Sequence, residues 1–267
     1  MINEVKGGGK FMTIAEKVRN DIKRLEEGRV FLAGDLGAYK EDKTATNKAL
    51  NYYIHNDQYM NKFGRVSKIA DGVFYKEKVG RFGVVPPSND ALISALIYSG
   101  KKQVGYVGGE KLFNKTGLST QVPSKIVIIT SKQAPSKIYS SGLFIEVKKK
   151  KKLLTELDIK SEEFSFILNH MDEIQALEKN TLINSLGDYL DYFLNNKKAF
   201  NTLYSGIKRK KNKAFLGAVI QNYSELKGLK YSEYLAQIKS DLSDNSKYKV
   251  GRLKKVISHS EDWNLIA

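Results

Sequence analysis

Residues 13 to 78 follow a pattern of apolar and polar positions that few folds can accommodate. The stretch begins with TIAEKVRNDIKRL, where apolar residues recur at steps of three and four, and continues with a short apolar run, VFL. Two further helical patterns follow, one around Leu32 and Leu36 and one from Lys43 to His55, joined by a polar turn, and the stretch ends in two basic β-type arms around Asp71-Gly72. Asp-Gly between such arms is a strong signal of a two-residue hairpin turn. A helix, a strand, two helices and a basic hairpin, in this order, predict a winged helix-turn-helix.

The segment from Lys43 to His55 carries the side chains that this fold would present to DNA. On a helix with 100° per residue, its apolar side chains share the side that faces the first helix: Ala45, Ala49, Leu50 and Tyr53. Its polar side chains share the other side: Thr44, Asn47, Lys48, Asn51 and His55. Asparagine can pair bidentately with adenine, threonine can meet a thymine methyl, and lysine can reach guanine or phosphate. Such a row is often only a solvated helix face, but its place before a basic hairpin favours DNA binding.

The predicted hairpin adds basic side chains that would contact phosphates and the minor groove: Lys62, Arg65, Lys68 and Lys76. The first three lie on the first arm of the hairpin and the last lies on the second. Contacts of this kind position a protein on DNA without specifying the sequence. The alternative is that some of these lysines only keep an edge hairpin soluble. We expect binding to be mostly electrostatic, with discrimination between sequences from Asn47, Asn51 and Thr44.

The chain is predicted to have an α+β fold in three parts after a flexible leader of residues 1–12, with Met1 or Met12 as the natural start. The winged helix-turn-helix of residues 13–87 ends at Pro86-Pro87, which no helix or central strand carries through. Residues 88–152 combine short β-branched runs with a helix that Ser88 caps and Gly100 ends, which predicts a small α/β unit. From residue 153 to 267 apolar residues recur at steps of three and four without a lasting heptad, which predicts a helical bundle. Its later helical segments are predicted around residues 197–207, 212–226, 231–243 and 247–258.

The charge of the chain favours a polyanionic partner. Its 45 lysine and arginine residues, against 29 aspartate and glutamate residues, give a formal net charge of +16. Each cation placed at a phosphate releases a condensed counterion, which makes nucleic acid a natural partner. An AT-rich genome enriches lysine wherever it is tolerated and explains the total equally well, so the placement of the charges must decide. The run Lys148–Lys152 is interpreted as a solvated linker, and Lys208–Lys211 as a connection between helices that could add nonspecific contacts.

Several classes of function are disfavoured. The absence of cysteine excludes disulfides, thiol catalysis and thiolate zinc sites. No apolar run is long enough to span a bilayer and the amino terminus lacks the features of a signal peptide, so we expect a cytoplasmic protein without a membrane partner. The three histidines, His55, His170 and His259, lie in different segments, without a second ligand at metal-site spacing. We expect no catalytic residue, no cofactor and no metal, and Trp263 is expected to dock onto the helices.

Two segments together resemble the AbiEi-type antitoxins of bacterial type IV toxin–antitoxin (abortive infection) systems. The first is KVRNDIKRLEEGRVFLAGDL followed by ATNKALNYYIHNDQYMNKFGRVSKIADGVFYK. The second is GYVGGEKLFNKTGLSTQVPSKIVIIT. It is similar to the family's stretch after the winged helix, where a Gly-Tyr opening and a Gly-Leu-[Ser/Thr]-Thr-Gln-Val-Pro core recur. The resemblance covers about residues 13 to 135, and implies a recognition helix on Ala45 to His55 and a wing on Lys62 to Lys76.

The resemblance further implies a non-enzymatic protein that binds operator repeats in double-stranded DNA and represses its own toxin–antitoxin operon. It also implies that the protein counteracts a cognate nucleotidyltransferase toxin, and a stable complex with that toxin is not assumed. Three alternatives stay open. The chain could be a winged-helix transcription regulator whose helical domain senses a ligand or mediates dimerisation, or a plasmid or phage replication initiator. The third alternative is an enzyme, such as a nuclease, in the carboxy-terminal half.

Overall fold

The computed structural model describes residues 12–121, 123–140, 142–152, 154–174 and 178–267. The chain is mixed α and β, with a helical carboxy-terminal region. It divides into two compact units, each made of two stretches of chain: unit 1 is Met1–Gly105 with Ile128–Lys152, and unit 2 is Tyr106–Val127 with Leu153–Ala267. The predicted boundary after residue 152 coincides with this division, whereas the predicted α/β unit of residues 88–152 is shared between the two units. The predicted leader, apart from Met12, lies outside the described residues.

Unit 1 begins with α1 (Ile14–Arg24), whose first turn is closed by a capping box. The Thr13 hydroxyl accepts from the backbone N–H of Glu16 at 3.3 Å, and the Glu16 carboxylate accepts from the backbone N–H of Thr13 at 2.8 Å. Val18 and Ile22 are buried on the inner side of the helix. The helix ends at Leu25, whose extended backbone starts the path towards the first strand.

Three antiparallel strands form the first sheet of unit 1: β1 (Val30–Leu32), β2 (Val66–Ala70) and β3 (Val73–Lys76), in the order β1-β3-β2. Ala70 pairs with Val73, so Asp71 and Gly72 form the turn between β2 and β3. Gly72 has φ of +73°, a left-handed conformation that glycine adopts without strain. The hairpin predicted around Asp71-Gly72 is therefore confirmed.

The segment between β1 and β2 differs from its prediction. It contains two short 3-10 turns and two helices: Ala33–Asp35, Gly37–Lys40, α2 (Lys43–Tyr53) and α3 (Asp57–Phe63). The predicted helix to His55 ends two residues earlier, because the Asn56 side chain accepts from the backbone N–H of Tyr59 at 3.0 Å and starts α3. The prediction that placed Lys62 on the first arm of the hairpin is wrong, since Lys62 lies in α3.

The rest of unit 1 combines a helix with short strands: β4 (Lys78–Gly80), β5 (Gly83–Val85), α4 (Asn89–Ile97), β6 (Tyr98–Ser99), β7 (Lys102–Gln103), β8 (Gly105–Gly108), β9 (Lys125–Thr130), β10 (Lys137–Ser140) and β11 (Leu143–Lys149). Strands β8 and β9 contain residues of both units. As predicted, Ser88 caps α4, because its hydroxyl accepts from the backbone N–H of Ala91 at 3.1 Å. Strands β10, β11 and β9 lie side by side in that order.

Unit 2 is mainly helical: α5 (Glu110–Lys115), α6 (Glu156–Asn169), α7 (Lys179–Ser185), α8 (Gly187–Leu194), α9 (Lys197–Gly206), α10 (Lys210–Lys227) and α11 (Ser232–Ser240), with a parallel pair of short strands, β12 (Tyr248–Lys249) and β13 (Leu265–Ile266). Helix α10 is the longest and runs through the core, with Ala214, Phe215 and Val219 fully buried. The helix predicted around residues 247–258 is wrong, because this segment forms β12 and a 3-10 turn.

Trp263 is buried against α10, as expected for a docking residue. Its indole N–H donates to the Gln221 side chain at 2.6 Å. The ring occupies the space beside Gly217, where no side chain would fit. Within the described part of the chain, none of the helices has the length and apolar character needed to cross a membrane.

Candidate nucleic-acid interface

Helix α2 presents a polar face to solvent and buries a narrow inner face. The Asp42 carboxylate caps the helix by accepting from the backbone N–H of Ala45 at 2.8 Å. The inner face is centred on Thr46, Leu50 and Tyr53, each at most 1% exposed. Thr46 had not been predicted there, and the predicted inner residues Ala45 and Ala49 are half-buried. The predicted polar residues are all exposed: Thr44, Asn47, Lys48, Asn51 and His55.

His55 lies just beyond the end of α2 rather than on the helix. Its Nδ1 is 2.7 Å from the carbonyl oxygen of Asn51, so the ring folds back on the last turn. In the tautomer with the proton on Nδ1, this nitrogen donates to the carbonyl and Nε2 is left to accept from a partner. The exposed ring thereby stays next to the polar face of α2.

The structure brings part of the predicted set together in one depression of about 390 Å³ between α2 and the β2–β3 turn. Asn47 and Asn51 line it from α2, and Lys68 lines it from β2. Further lining residues come from the hairpin turn and from the residues around it: Tyr39, Asp71, Gly72, Phe74, Gln133 and Pro135. Three amide side chains, one carboxylate and one ammonium group therefore line the same depression.

The hairpin turn carries an ion pair that reduces the free charge of Lys68. The Lys68 ammonium lies 2.6 Å from the Asp71 carboxylate, and both side chains are in contact with solvent. The hydrogen bond from Lys68, together with its positive charge, lowers the pKa of the Asp71 carboxyl. Since the pair is exposed to solvent, it contributes little to stability, and the Lys68 ammonium stays accessible.

Arg65 and Lys62 lie away from the turn. Arg65 precedes β2 and therefore lies at the other end of the hairpin from Asp71-Gly72. Its Nε is 3.4 Å from the Glu77 carboxylate, which also accepts from the hydroxyl of Ser67. Lys62 is exposed on α3, with its ammonium 5.5 Å from the centre of the Phe63 ring. Both cations are accessible, but they do not line the depression beside α2.

Lys76 departs from the prediction, because it points into the protein and not towards solvent. It is 7% exposed, and its ammonium donates to the carbonyl oxygens of Ile22, Lys23 and Leu25 at 3.0, 3.3 and 2.6 Å. These carbonyls end α1, where few backbone donors are left, so Lys76 supplies hydrogen bonds that the helix itself does not complete. Burial lowers the pKa of Lys76, and the charge of Glu27 acts in the opposite direction. The predicted contact of Lys76 with DNA is therefore withdrawn.

Gln133 was missed by the sequence reasoning. It lines the same depression as Asn47 and Asn51, with an exposed side chain whose oxygen accepts from the Lys149 ammonium. The neighbouring Lys132 fixes this loop, since its ammonium lies 2.7 Å from the Asp35 carboxylate and donates to backbone carbonyls of α4 and β6. Lys149, interpreted above as part of a linker, lies at the end of β11. No local pattern connects Gln133 with residues so far away in the sequence.

Unit 2 contains a buried polar cluster around Glu163. Its carboxylate lies 2.8 Å from the Lys115 ammonium and accepts from the Tyr189 hydroxyl at 2.9 Å. Burial and the neighbouring Glu163 raise the pKa of Tyr189. All the groups of this cluster find partners within the protein, which is typical of a structural network. Among the described residues, no group of three or more His, Cys, Asp or Glu side chains is placed to hold a metal ion.

Comparison with known proteins identifies one related family. The family model described as "Family of unknown function (DUF6088)" matches residues 17–188, which is more than half of the chain. The matched region runs from α1 into α8 and includes all of α2, the β2–β3 hairpin and Gln133. No curated protein and no solved structure matched the chain.

Proposed function

This chain belongs to DUF6088, a family of unknown function, and we propose that it is a winged helix-turn-helix protein that binds double-stranded DNA in a sequence-dependent manner. The order α1, β1, α2, α3 and the β2–β3 hairpin, with the sheet order β1-β3-β2, supports this assignment. Helix α2 is the proposed recognition helix. The Asp71-Gly72 turn is the proposed tip of the wing.

The observation that carries the proposal is the exposed polar face of α2 beside Lys68. Asn47 and Asn51 are one helical turn apart and line the same depression, so their amides can reach neighbouring base pairs. An α-helix fits the major groove of B-DNA, where each base pair has a distinct pattern of donors and acceptors. Lys48 and Thr44 flank the two asparagines on the exposed face. The proposed readout set is therefore Thr44, Asn47, Lys48 and Asn51, with Gln133 as an addition from the neighbouring loop.

A biological role follows from the resemblance of residues 13 to 135 to AbiEi-type antitoxins. We propose that the protein is a non-enzymatic antitoxin that represses its own operon and opposes a nucleotidyltransferase toxin. This role is tested by expressing the chain together with a neighbouring nucleotidyltransferase gene and scoring growth. If growth arrest by the toxin is not relieved while promoter binding is intact, the antitoxin role fails and the protein is a plain regulator.

DNA binding is tested by fluorescence anisotropy with a duplex from the promoter of the gene and with a scrambled duplex, at low and near-physiological salt. We expect a preference for the promoter of at least about 100-fold at the higher salt. Asn47→Ala should cost about 1–3 kcal/mol on the promoter and little on the scrambled duplex. Lys48→Ala and Arg65→Ala should each weaken binding to both duplexes and reduce the salt slope by about 1. The matched control is Asn195→Ala, an exposed asparagine of unit 2.

Equal binding of the wild type to both duplexes, abolished by salt, would refute sequence-dependent recognition. If Asn47→Ala lowers the affinity for the promoter and for the scrambled duplex equally, Asn47 does not take part in sequence recognition. A loss for Asn195→Ala as large as that for Asn47→Ala would show that the effect is not specific to α2.

A further inference from the structure

Among the described residues of unit 1, the β4–β5 hairpin is the most exposed apolar feature. Val79 pairs with Val84 and Gly80 with Gly83, which leaves Arg81 and Phe82 at the turn. Phe82 is 99% exposed, and the three valines of the hairpin are 68%, 53% and 44% exposed: Val79, Val84 and Val85. Among the described strands, β4 and β5 pair only with each other. Single exposed apolar residues are common, but four exposed apolar side chains along one short hairpin indicate a partner.

The base of the hairpin is fixed to the rest of unit 1. The hydroxyl of the buried Tyr75 donates to the carbonyl oxygen of Val85 and accepts from the backbone N–H of Lys78 at 3.2 Å. Tyr75 belongs to β3, the middle strand of the sheet that also carries the proposed wing. The base of the hairpin is therefore joined to the central strand of the first sheet. The exposed side chain of Phe82 at its tip is not part of the core.

The charge of the hairpin selects the kind of partner. The stretch from Lys78 to Pro87 contains two cations, Lys78 and Arg81, and no acidic residue. Both cations are exposed. A second copy of the chain would bring the same positive charges together, whereas a polyanion complements them. Charge complementarity therefore favours nucleic acid as the partner.

The chemistry of the tip fits the minor groove of DNA. Arginine is attracted by the negative potential of a narrow minor groove, and an apolar side chain next to it can enter between base pairs and kink the duplex. Gly83, next to Phe82, has open space where a side chain would stand, so the backbone there can approach a sugar–phosphate strand closely, whereas the corresponding space at Gly80 is filled by Val85. Gly83 has φ of +112°, a conformation that a side chain would strain.

We propose that the β4–β5 hairpin is a second DNA-binding element, in which Phe82 is a wedge between base pairs and Arg81 its anchor in the minor groove. This proposal rests on the proposed DNA binding by α2 and extends it to DNA bending. Binding by α2 selects the sequence, and the hairpin deforms the duplex beside it.

The test uses the full chain and promoter duplexes in which 2-aminopurine replaces adenine at successive positions, together with end-labelled duplexes for energy transfer. The wild type should increase 2-aminopurine fluorescence at one or two neighbouring positions and bend the duplex by about 20° or more. At saturating protein, Phe82→Ala should abolish both signals and lower the affinity by about tenfold, as the loss of a stacked aromatic predicts. Phe82→Leu should retain most of the bend, because leucine also serves as a wedge.

The matched control is Tyr139→Ala, which removes an aromatic side chain that is 70% exposed on β10. It should leave both signals unchanged. Asn47→Ala should reduce the preference for the promoter but retain the bend at saturation. Bending and fluorescence by Phe82→Ala equal to those of the wild type would overturn the proposal.

Sedimentation of the wild type and Phe82→Ala tests whether the hairpin instead binds a second copy of the chain. Loss of a dimer in Phe82→Ala, with unchanged DNA bending, would assign the hairpin to contact between copies and overturn the wedge. If the wild type binds promoter and scrambled duplexes equally but bends both through Phe82, sequence-dependent recognition fails and the wedge stands. No binding to either duplex would overturn both proposals.

Discussion

Replacing Lys76 by methionine tests whether this lysine stabilises the fold or contacts DNA. Methionine keeps the unbranched apolar stem, which passes close to Gly64, and removes only the ammonium. Three carbonyl oxygens at the end of α1 then lose a charged donor. The carbonyl of Ile22 keeps the backbone N–H of Leu25 as a donor at 3.1 Å. The carbonyls of Lys23 and Leu25 lose the Lys76 donor, and the larger loss is at Leu25, whose bond is 2.6 Å long.

The size of the effect follows from these contacts. A hydrogen bond to a charged group contributes about 1.5–3 kcal/mol net, and the long bond to the Lys23 carbonyl adds little. Part of the loss is regained, because methionine is buried more favourably than an ammonium. We therefore expect Lys76→Met to lower the free energy of unfolding by about 1–2 kcal/mol. For a chain of this size, the corresponding decrease in Tm is about 2–8 °C.

Urea unfolding followed by circular dichroism measures the free energy, and anisotropy on the promoter duplex measures binding. The matched control is Lys78→Met, which removes the same charge two residues later from an exposed side chain. Lys78→Met should leave stability within about 0.5 kcal/mol of the wild type. Unchanged stability of Lys76→Met together with a reduced salt slope of binding would refute the structural role and restore Lys76 as a phosphate contact.

Three further measurements test other parts of the structure. Gly217→Ala puts a Cβ inside the van der Waals surface of the Trp263 ring, and should cost about 1–3 kcal/mol and shift the tryptophan emission to the red; Gly187→Ala, with an ordinary contact at 3.9 Å, is its control. Gln133→Ala should weaken binding to the promoter by about fivefold or more and leave the scrambled duplex unaffected, as for a base contact; equal losses on both would assign it to phosphate binding. Burial raises the pKa of Tyr53 from 10.0 to about 12. Between pH 10 and 12 the Tyr53 hydroxyl therefore keeps its proton in the folded state and loses it in the unfolded state. Its contribution to the free energy of unfolding is complete below pH 10 and is lost as the pH rises from 10 to 12. The free energy of unfolding, measured with urea at pH 9 and pH 11, should decrease less between these pH values in Tyr53→Phe than in the wild type. An equal decrease in both proteins would contradict the raised pKa of Tyr53.

Elements determined by neighbouring residues could be predicted from the sequence. Ser88 and the Asp71-Gly72 turn act within three or four residues, and both were identified correctly because the chemistry of caps and turns is local. Helix α3 escaped prediction, although Asn56 is a good N-cap, because seven residues are too few to show a period. The segment around residues 247–258 was predicted as helix because its apolar spacing resembles one, whereas the pairing of β12 with β13 overrides that preference.

The candidate site could be predicted only in part, because its geometry depends on distant partners. The exposure of the polar face of α2 follows from helical periodicity and needs no tertiary information. The burial of Lys76 depends on carbonyl groups more than fifty residues earlier. Gln133 reaches the depression beside α2 through a loop that Lys132 ties to Asp35, across 97 residues. Spacing along the sequence carries no signal of either arrangement.

Unit 1 cannot be completed until the ribosome has also made the segment of unit 2 that separates its two stretches. Its first stretch ends at Gly105 and its second begins at Ile128, so the nascent chain must emerge beyond β11 before the unit has all its parts. Until Lys132 leaves the exit tunnel, the carboxylate of Asp35 and the Ala95 carbonyl of α4 lack the ammonium that joins them. Fragments such as residues 13–87 contain the proposed recognition helix without these ties. Translation past β11 is thereby a condition for complete anchoring of the proposed recognition helix, and under the proposed function stalled or prematurely released chains should compete poorly for the promoter.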